Sequence, residues 1–83
     1  MNVFYFSSDL FASVVAVSMV SLLENNKEQE KITFYIVDDG ISDEKKILLN
    51  NMVVQYESDN IKRDVVYLEA LGPEILLKYP FKD

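Results

Sequence analysis

At 83 residues the chain has room for one small domain, which buries only about 60–65% of the surface its unfolded chain exposes. Hydrophobic residues make up 49% of it, with five Tyr and five Phe, so the composition is that of a folded protein. The absence of Cys excludes a disulfide framework and thiolate zinc sites, and the absence of His removes the commonest general base and transition-metal ligand. Any metal here would be a hard cation on carboxylates. The net charge of -6 and the scatter of the eight basic residues exclude a nucleic-acid partner, whose affinity rests on Lys and Arg.

The elements follow in chain order. Asn2 to Phe6 is a β-branched and aromatic run that suits a strand, and Ser7-Ser8-Asp9 after it offers side-chain oxygens for a helix N-cap. From Leu10 to Asn25 the apolar residues are too dense for one stripe, which predicts a helix buried on most sides. The run from Leu10 to Leu23 is too short to cross a bilayer and no basic residue precedes it, so the expectation is a cytoplasmic protein without a secretory signal or transmembrane segment. A polar turn from Glu24 to Lys31 leads to Ile32–Val37, a strand apolar almost without alternation, as in parallel sheets covered on both faces.

Asp38-Asp39-Gly40 ends that strand, and Ser42 is the expected N-cap of a second helix, with Asp43 and Glu44 in its first turn. Ile47, Leu48, Met52, Val53 and Tyr56 recur at helical spacing and predict the buried face. A third strand is expected around Asp64 to Leu68, then a short helix from Glu74 to Lys78 between Gly72-Pro73 and Pro80. The order β-α-β-α-β with right-handed crossovers predicts three parallel strands, the mononucleotide-binding half of a doubly wound sheet. Strands that read as buried on both faces, in a sheet this small, lead to the expectation of a truncated domain spanning residues 1–83, self-associating through open sheet edges.

Ligands of such sheets lie beyond the carboxyl ends of the strands. The loop after the first strand lacks the glycine triplet of a dinucleotide site. Asp9 is suited either to a base or ribose edge, with Phe11 beside it for stacking, or simply to capping the helix that follows. Asp38-Asp39-Gly40 reads either as a carboxylate pair on a cation or, more commonly, as a polar turn in which Gly40 takes a left-handed conformation. The aromatic cluster Phe4, Tyr5, Phe6, Phe34 and Tyr35 is expected in the core.

Two segments, Val3 to Ala12 continuing through Ala16 to Asn26, and Ile32 to Ser42, resemble the opening of glycosyltransferase family 8. The resemblance implies a GT-A (Rossmann-like) fold and transfer of a hexose from a UDP-sugar donor to a glycan or lipopolysaccharide acceptor, with retention of configuration and a manganese ion. It implies that Phe6, Ser7, Ser8, Asp9 and Phe11 lie along the uracil and ribose. Many members carry Asp-Asp-Asn-Tyr where this chain has Ser8-Asp9-Leu10-Phe11, so Asp9 carries over, Phe11 keeps the ring without the hydroxyl, and Ser8 and Leu10 depart. The family's Asp-x-Asp metal motif occurs nowhere in this sequence. The chain alone is therefore expected to hold no cofactor, to have no catalytic residues and to be inactive. The alternative is a non-catalytic α/β nucleotide-binding or protein-interaction module. A flavodoxin- or receiver-like domain would want an acidic cluster where the chain offers only Asp9.

Overall fold

The computed structural model describes residues 1–69, and the short helix expected from Glu74 to Lys78 lies outside them. The order is β1 (Asn2–Ser8), α1 (Ala12–Asn25), β2 (Lys31–Asp39), α2 (Asp43–Val54) and β3 (Lys62–Glu69). The strands form one parallel sheet in the order β1-β2-β3, as the alternation of strand and helix patterns requires. Register places Ser7 beside Asp38 and Ser8 beside Asp39, so the loops after β1 and β2 leave the sheet side by side.

The core is built from one face of the sheet. Ile32, Phe34 and Ile36 of β2 are fully buried beneath Ala12, Val15, Met19 and Leu23 of α1 and Leu49 and Val53 of α2, with Val3, Tyr5, Val65 and Tyr67 packed at the margin. Strands taken in the order 1-2-3 with right-handed crossovers carry both helices to the same side. The other face is uncovered among the described residues. Two cross-strand rows lie on it: Phe4, Tyr35 and Val66, then Phe6, Val37 and Leu68. Phe4 stacks on Tyr35 at 4.7 Å between ring centroids, yet Phe4 and Phe6 are 67% and 65% exposed. Only Phe34 of the five expected core aromatics is fully buried, because consecutive strand residues point to opposite faces and, among the described residues, only one face has helices on it.

The same one-sidedness corrects the expectation for α1. Its buried residues form a single stripe, Ala12, Val15, Met19 and Leu23, while Val14 and Val17 on other sides are exposed. In α2 the buried residues are Leu49 and Val53, with Met52 half-buried, as is Tyr56 just beyond the helix, and Ile47 and Leu48 stand exposed. Helical spacing alone does not choose between neighbouring stripes. Here the choice falls on the stripe that meets α1 and β3.

Candidate functional site at the carboxyl ends of the strands

The loop after β1 is a three-residue turn, Asp9-Leu10-Phe11, between Ser8 and the first residue of α1. Phe11 occupies the N-cap position and makes no side-chain cap bond. Asp9 supports α1 only through its backbone oxygen, which accepts from Ala12 N–H at 3.3 Å. Its carboxylate is spent elsewhere. Oδ1 accepts from the Ser42 backbone N–H at 2.9 Å, and Oδ2 accepts from Lys45 Nζ at 3.0 Å. Lys45 Nζ also donates to the Asp9 backbone oxygen at 2.8 Å. The simple expectation that Asp9 caps the helix following it is therefore not met. Asp9 ties the first loop to the start of α2, 33 residues further on.

The second loop is built from the next carboxylate. Asp38 Oδ1 accepts from Gly40 N–H at 3.0 Å and Ile41 N–H at 2.7 Å, and its Oδ2 is paired with Lys46. Gly40 has φ +92°, the left-handed conformation expected of it. Asp38-Asp39-Gly40 is thus a polar turn that feeds a capped helix. Ser42 is the N-cap, its hydroxyl accepting from Lys45 N–H at 3.3 Å, and Asp43 and Glu44 fill the first turn. Lys46 Nζ stands 5.2 Å from the Tyr67 ring centroid, and the Tyr67 hydroxyl donates to the Lys46 carbonyl at 3.2 Å. Two consecutive lysines of α2 therefore hold the loops after two different strands.

These contacts set the charges. The Ser42 N–H and then Lys45 hold the Asp9 carboxyl down at about 2 from its ordinary 3.8. Lys46 first, and then the Ile41 N–H, lower that of Asp38, and the same pairing raises Lys46. Burial, aided by Asp38, pushes the Tyr67 hydroxyl up to about 12. At neutral pH the site therefore presents two carboxylates, each matched by a lysine. A carboxylate has about four acceptor positions, and Asp9 uses two on its side chain, which leaves capacity for a ligand donor.

The expected nucleotide residues take distinct places. Phe6 lies on the open face of the sheet and Phe11 is exposed beside Asp9 in the turn. Ser8, half-buried, closes β1. Ser7 is buried and its hydroxyl donates to the Ser8 carbonyl at 2.8 Å, so that group is already occupied. Lys45 and Ser42, which hold Asp9, are absent from the sequence-derived set. The signal for Lys45 was present as two adjacent lysines in the first turn of a helix, where the positive end of the helix dipole disfavours cations.

A manganese ion does not fit these residues. Among the described residues no three carboxylates gather, and Asp9 and Asp38 are each engaged by a lysine.

No family model matches the chain. A protein of Haemophilus influenzae whose name places it among glycosyltransferases is 38% identical over 56 residues, 68% of this chain and 16% of the relative. Two solved structures share the fold at a TM-score of 0.70 and 20% identity, each over 98% of this chain. They are the galactosyltransferase LgtC in complex with donor and acceptor sugar analogs and an active-site mutant of LgtC; the chain covers 27% and 26% of them. The chain thus spans about a sixth of the curated relative and about a quarter of the structural neighbours. The parallel β-α-β-α-β unit is the matching part of the GT-A fold of LgtC. The resemblance to a glycosyltransferase is borne out by sequence against one such protein, and the expected fold by the likeness to LgtC.

Proposed function

We propose that the chain supplies the nucleotide-binding unit of a retaining hexosyltransferase that uses a UDP-sugar and a glycan or lipopolysaccharide acceptor in the cytoplasm. The observation that carries this is the Asp9 carboxylate: ionised, anchored beyond the carboxyl end of β1, and still partly open at 42% side-chain exposure. Its free acceptor positions suit the uracil N–H or a ribose hydroxyl, and the exposed Phe11 ring beside it suits stacking on the base. The similarity to a glycosyltransferase over 56 residues supports the same reading.

The residues present bind and orient; none is proposed to cleave the donor. Breaking a sugar–diphosphate bond needs positive charge on the leaving group, and both lysines of the site are committed to carboxylates. The proposed outcome is that the chain binds UDP and does not turn over UDP-glucose or UDP-galactose with manganese present. Isothermal titration with UDP and a product assay on the purified chain test the two halves. Turnover by the chain would sink the second.

One observation favours a second reading, a protein-interaction module. The rows Phe4-Tyr35-Val66 and Phe6-Val37-Leu68 present an apolar sheet face, and β1 and β3 are open edges among the described residues. Sedimentation of the chain as a monomer across the micromolar range would count against it.

A further inference from the structure

The first turn of α2 breaks a local rule. Lys45 and Lys46 sit at its third and fourth positions, where the unsatisfied N–H groups of a helix make a cation unfavourable. Sequences that break a local preference do so most often where tertiary structure or function compensates. Lys46 has its compensation in Asp38, inside the turn that starts the helix. Lys45 reaches instead to a different loop, and grips one residue there twice, at the Asp9 carboxylate and at the Asp9 backbone oxygen.

We propose that Lys45 is a positioning residue for the nucleotide contact at Asp9, fixing both the backbone of the β1–α1 turn and the rotamer of its carboxylate. This rests on the reading of Asp9 as the uridine contact. Asp9 belongs to a turn, so no strand or helix ladder holds it, and its side chain has two torsions free to wander. Lys45 and the Ser42 N–H bind one carboxylate oxygen each and leave the remaining lone pairs in one place. Lys45 is itself well rooted. Its own N–H is bonded to the Ser42 cap, and the next residue is locked to Asp38. The bland alternative is a half-exposed ion pair that contributes nothing to binding.

The test compares the parent chain with Lys45→Met, Lys45→Arg and Asp9→Asn, titrated with UDP and with uridine, while NMR follows the Asp9 carboxyl through acid. Lys45→Met is expected to weaken both ligands by the same factor, roughly ten-fold, as for loss of a hydrogen bond to a charged group. The Asp9 titration should rise from about 2 toward 3.8 in Lys45→Met. Lys45→Arg should restore most of both. A loss for UDP with none for uridine would mean that Lys45 attracts phosphate directly, and would overturn the proposal. So would a raised Asp9 titration with ligand affinity unchanged. Should Asp9→Asn bind both ligands like the parent, or the parent bind neither, the reading of Asp9 itself fails and Lys45 falls with it. If Asp9→Asn loses binding while a folded Lys45→Met keeps it, Asp9 stands and Lys45 alone is wrong. Lys45→Gln, which keeps a donor without the charge, serves if Lys45→Met does not fold.

Discussion

The two ends of the sheet are held by the same device, a cation that reaches from one element to oxygens of another, and they differ in burial. At the amino end Arg63, near the start of β3, is 3% exposed and donates from Nη1 to the Lys62 carbonyl at 2.8 Å and from Nη2 to those of Asn26 and Lys27 at 3.2 and 3.4 Å. Its Nε has no partner among the described residues, and burial lowers its proton affinity. Close by, the Tyr56 hydroxyl donates to Glu24 Oε1 at 2.6 Å. At the carboxyl end Lys45 and Lys46 hold Asp9 and Asp38 in contacts that water still reaches. A buried cation is committed to its carbonyls, since releasing it leaves unsatisfied polar groups without water. A half-exposed ion pair keeps acceptor positions of its carboxylate within reach of solvent, which is what a ligand site requires.

The sharpest way to break that contrast is to remove Arg63. Arg63→Met takes the guanidinium donor from the Lys27 carbonyl and one of two donors from that of Asn26, which keeps the Gln29 N–H, while leaving much of the stem, and the expected cost is about 3 kcal/mol in a urea melt. An equal loss from Lys46→Met would dissolve the distinction between the ends.

Next in size is Gly40→Ala. With φ at +92° an alanine there is strained, although nothing lies within 4 Å of the added Cβ, so about 1–2 kcal/mol should be lost from backbone strain alone. Ser42→Ala removes a cap bond and should cost about 1 kcal/mol, while Ser42→Asp should keep it. Thermal melts of the three variants rank them.

The smallest thermodynamic effect is expected at the lysines. Lys46→Met should lower stability only slightly, and the difference from the parent should shrink at 1 M salt. A salt-independent loss as large as that of Arg63→Met would mean that this pair is structural after all.

Acid separates the Arg63 contacts from the carboxylate pairs in another way. Asp9 and Asp38 have folded values below their ordinary ones, so their contribution is fully present above about 3.8 and is lost as pH falls, for Asp9 toward about 2. Urea melts at pH 7, 4 and 2.5 should therefore show parent stability falling below pH 4, with a smaller fall in a variant carrying both Asp9→Asn and Asp38→Asn. Arg63 stays charged throughout that range, so its own contacts at the amino end are unaffected, whereas Glu24, held below the ordinary carboxyl value by the Tyr56 hydroxyl and then by Lys27, loses its contribution there as the aspartates do.

How much of this was legible in advance differs by residue. Ser42 as a cap, Gly40 as a left-handed turn and the two acids after Ser42 depend on neighbours within four positions, and all three are found as read. Asp9 was legible as a candidate, but its partners were not, because Ser42 and Lys45 lie 33 and 36 residues away and meet it only when the β1-α1-β2 crossover brings the two loops together. Arg63 escaped notice for the same reason: nothing in its own segment announces a buried cation.

The alternation of strand and helix patterns by itself determined the β-α-β-α-β order and the parallel sheet, since period and handedness are properties of short stretches of chain. Tertiary structure alone decided which face is covered. Both right-handed crossovers deliver their helices to one side, so Phe34 is buried while Phe4 and Phe6 are not, and of the apolar stripes on α2 the one through Leu49 and Val53 is buried while Ile47 and Leu48 face away. Apolar residues state that a surface can be buried; what lies opposite them decides whether it is.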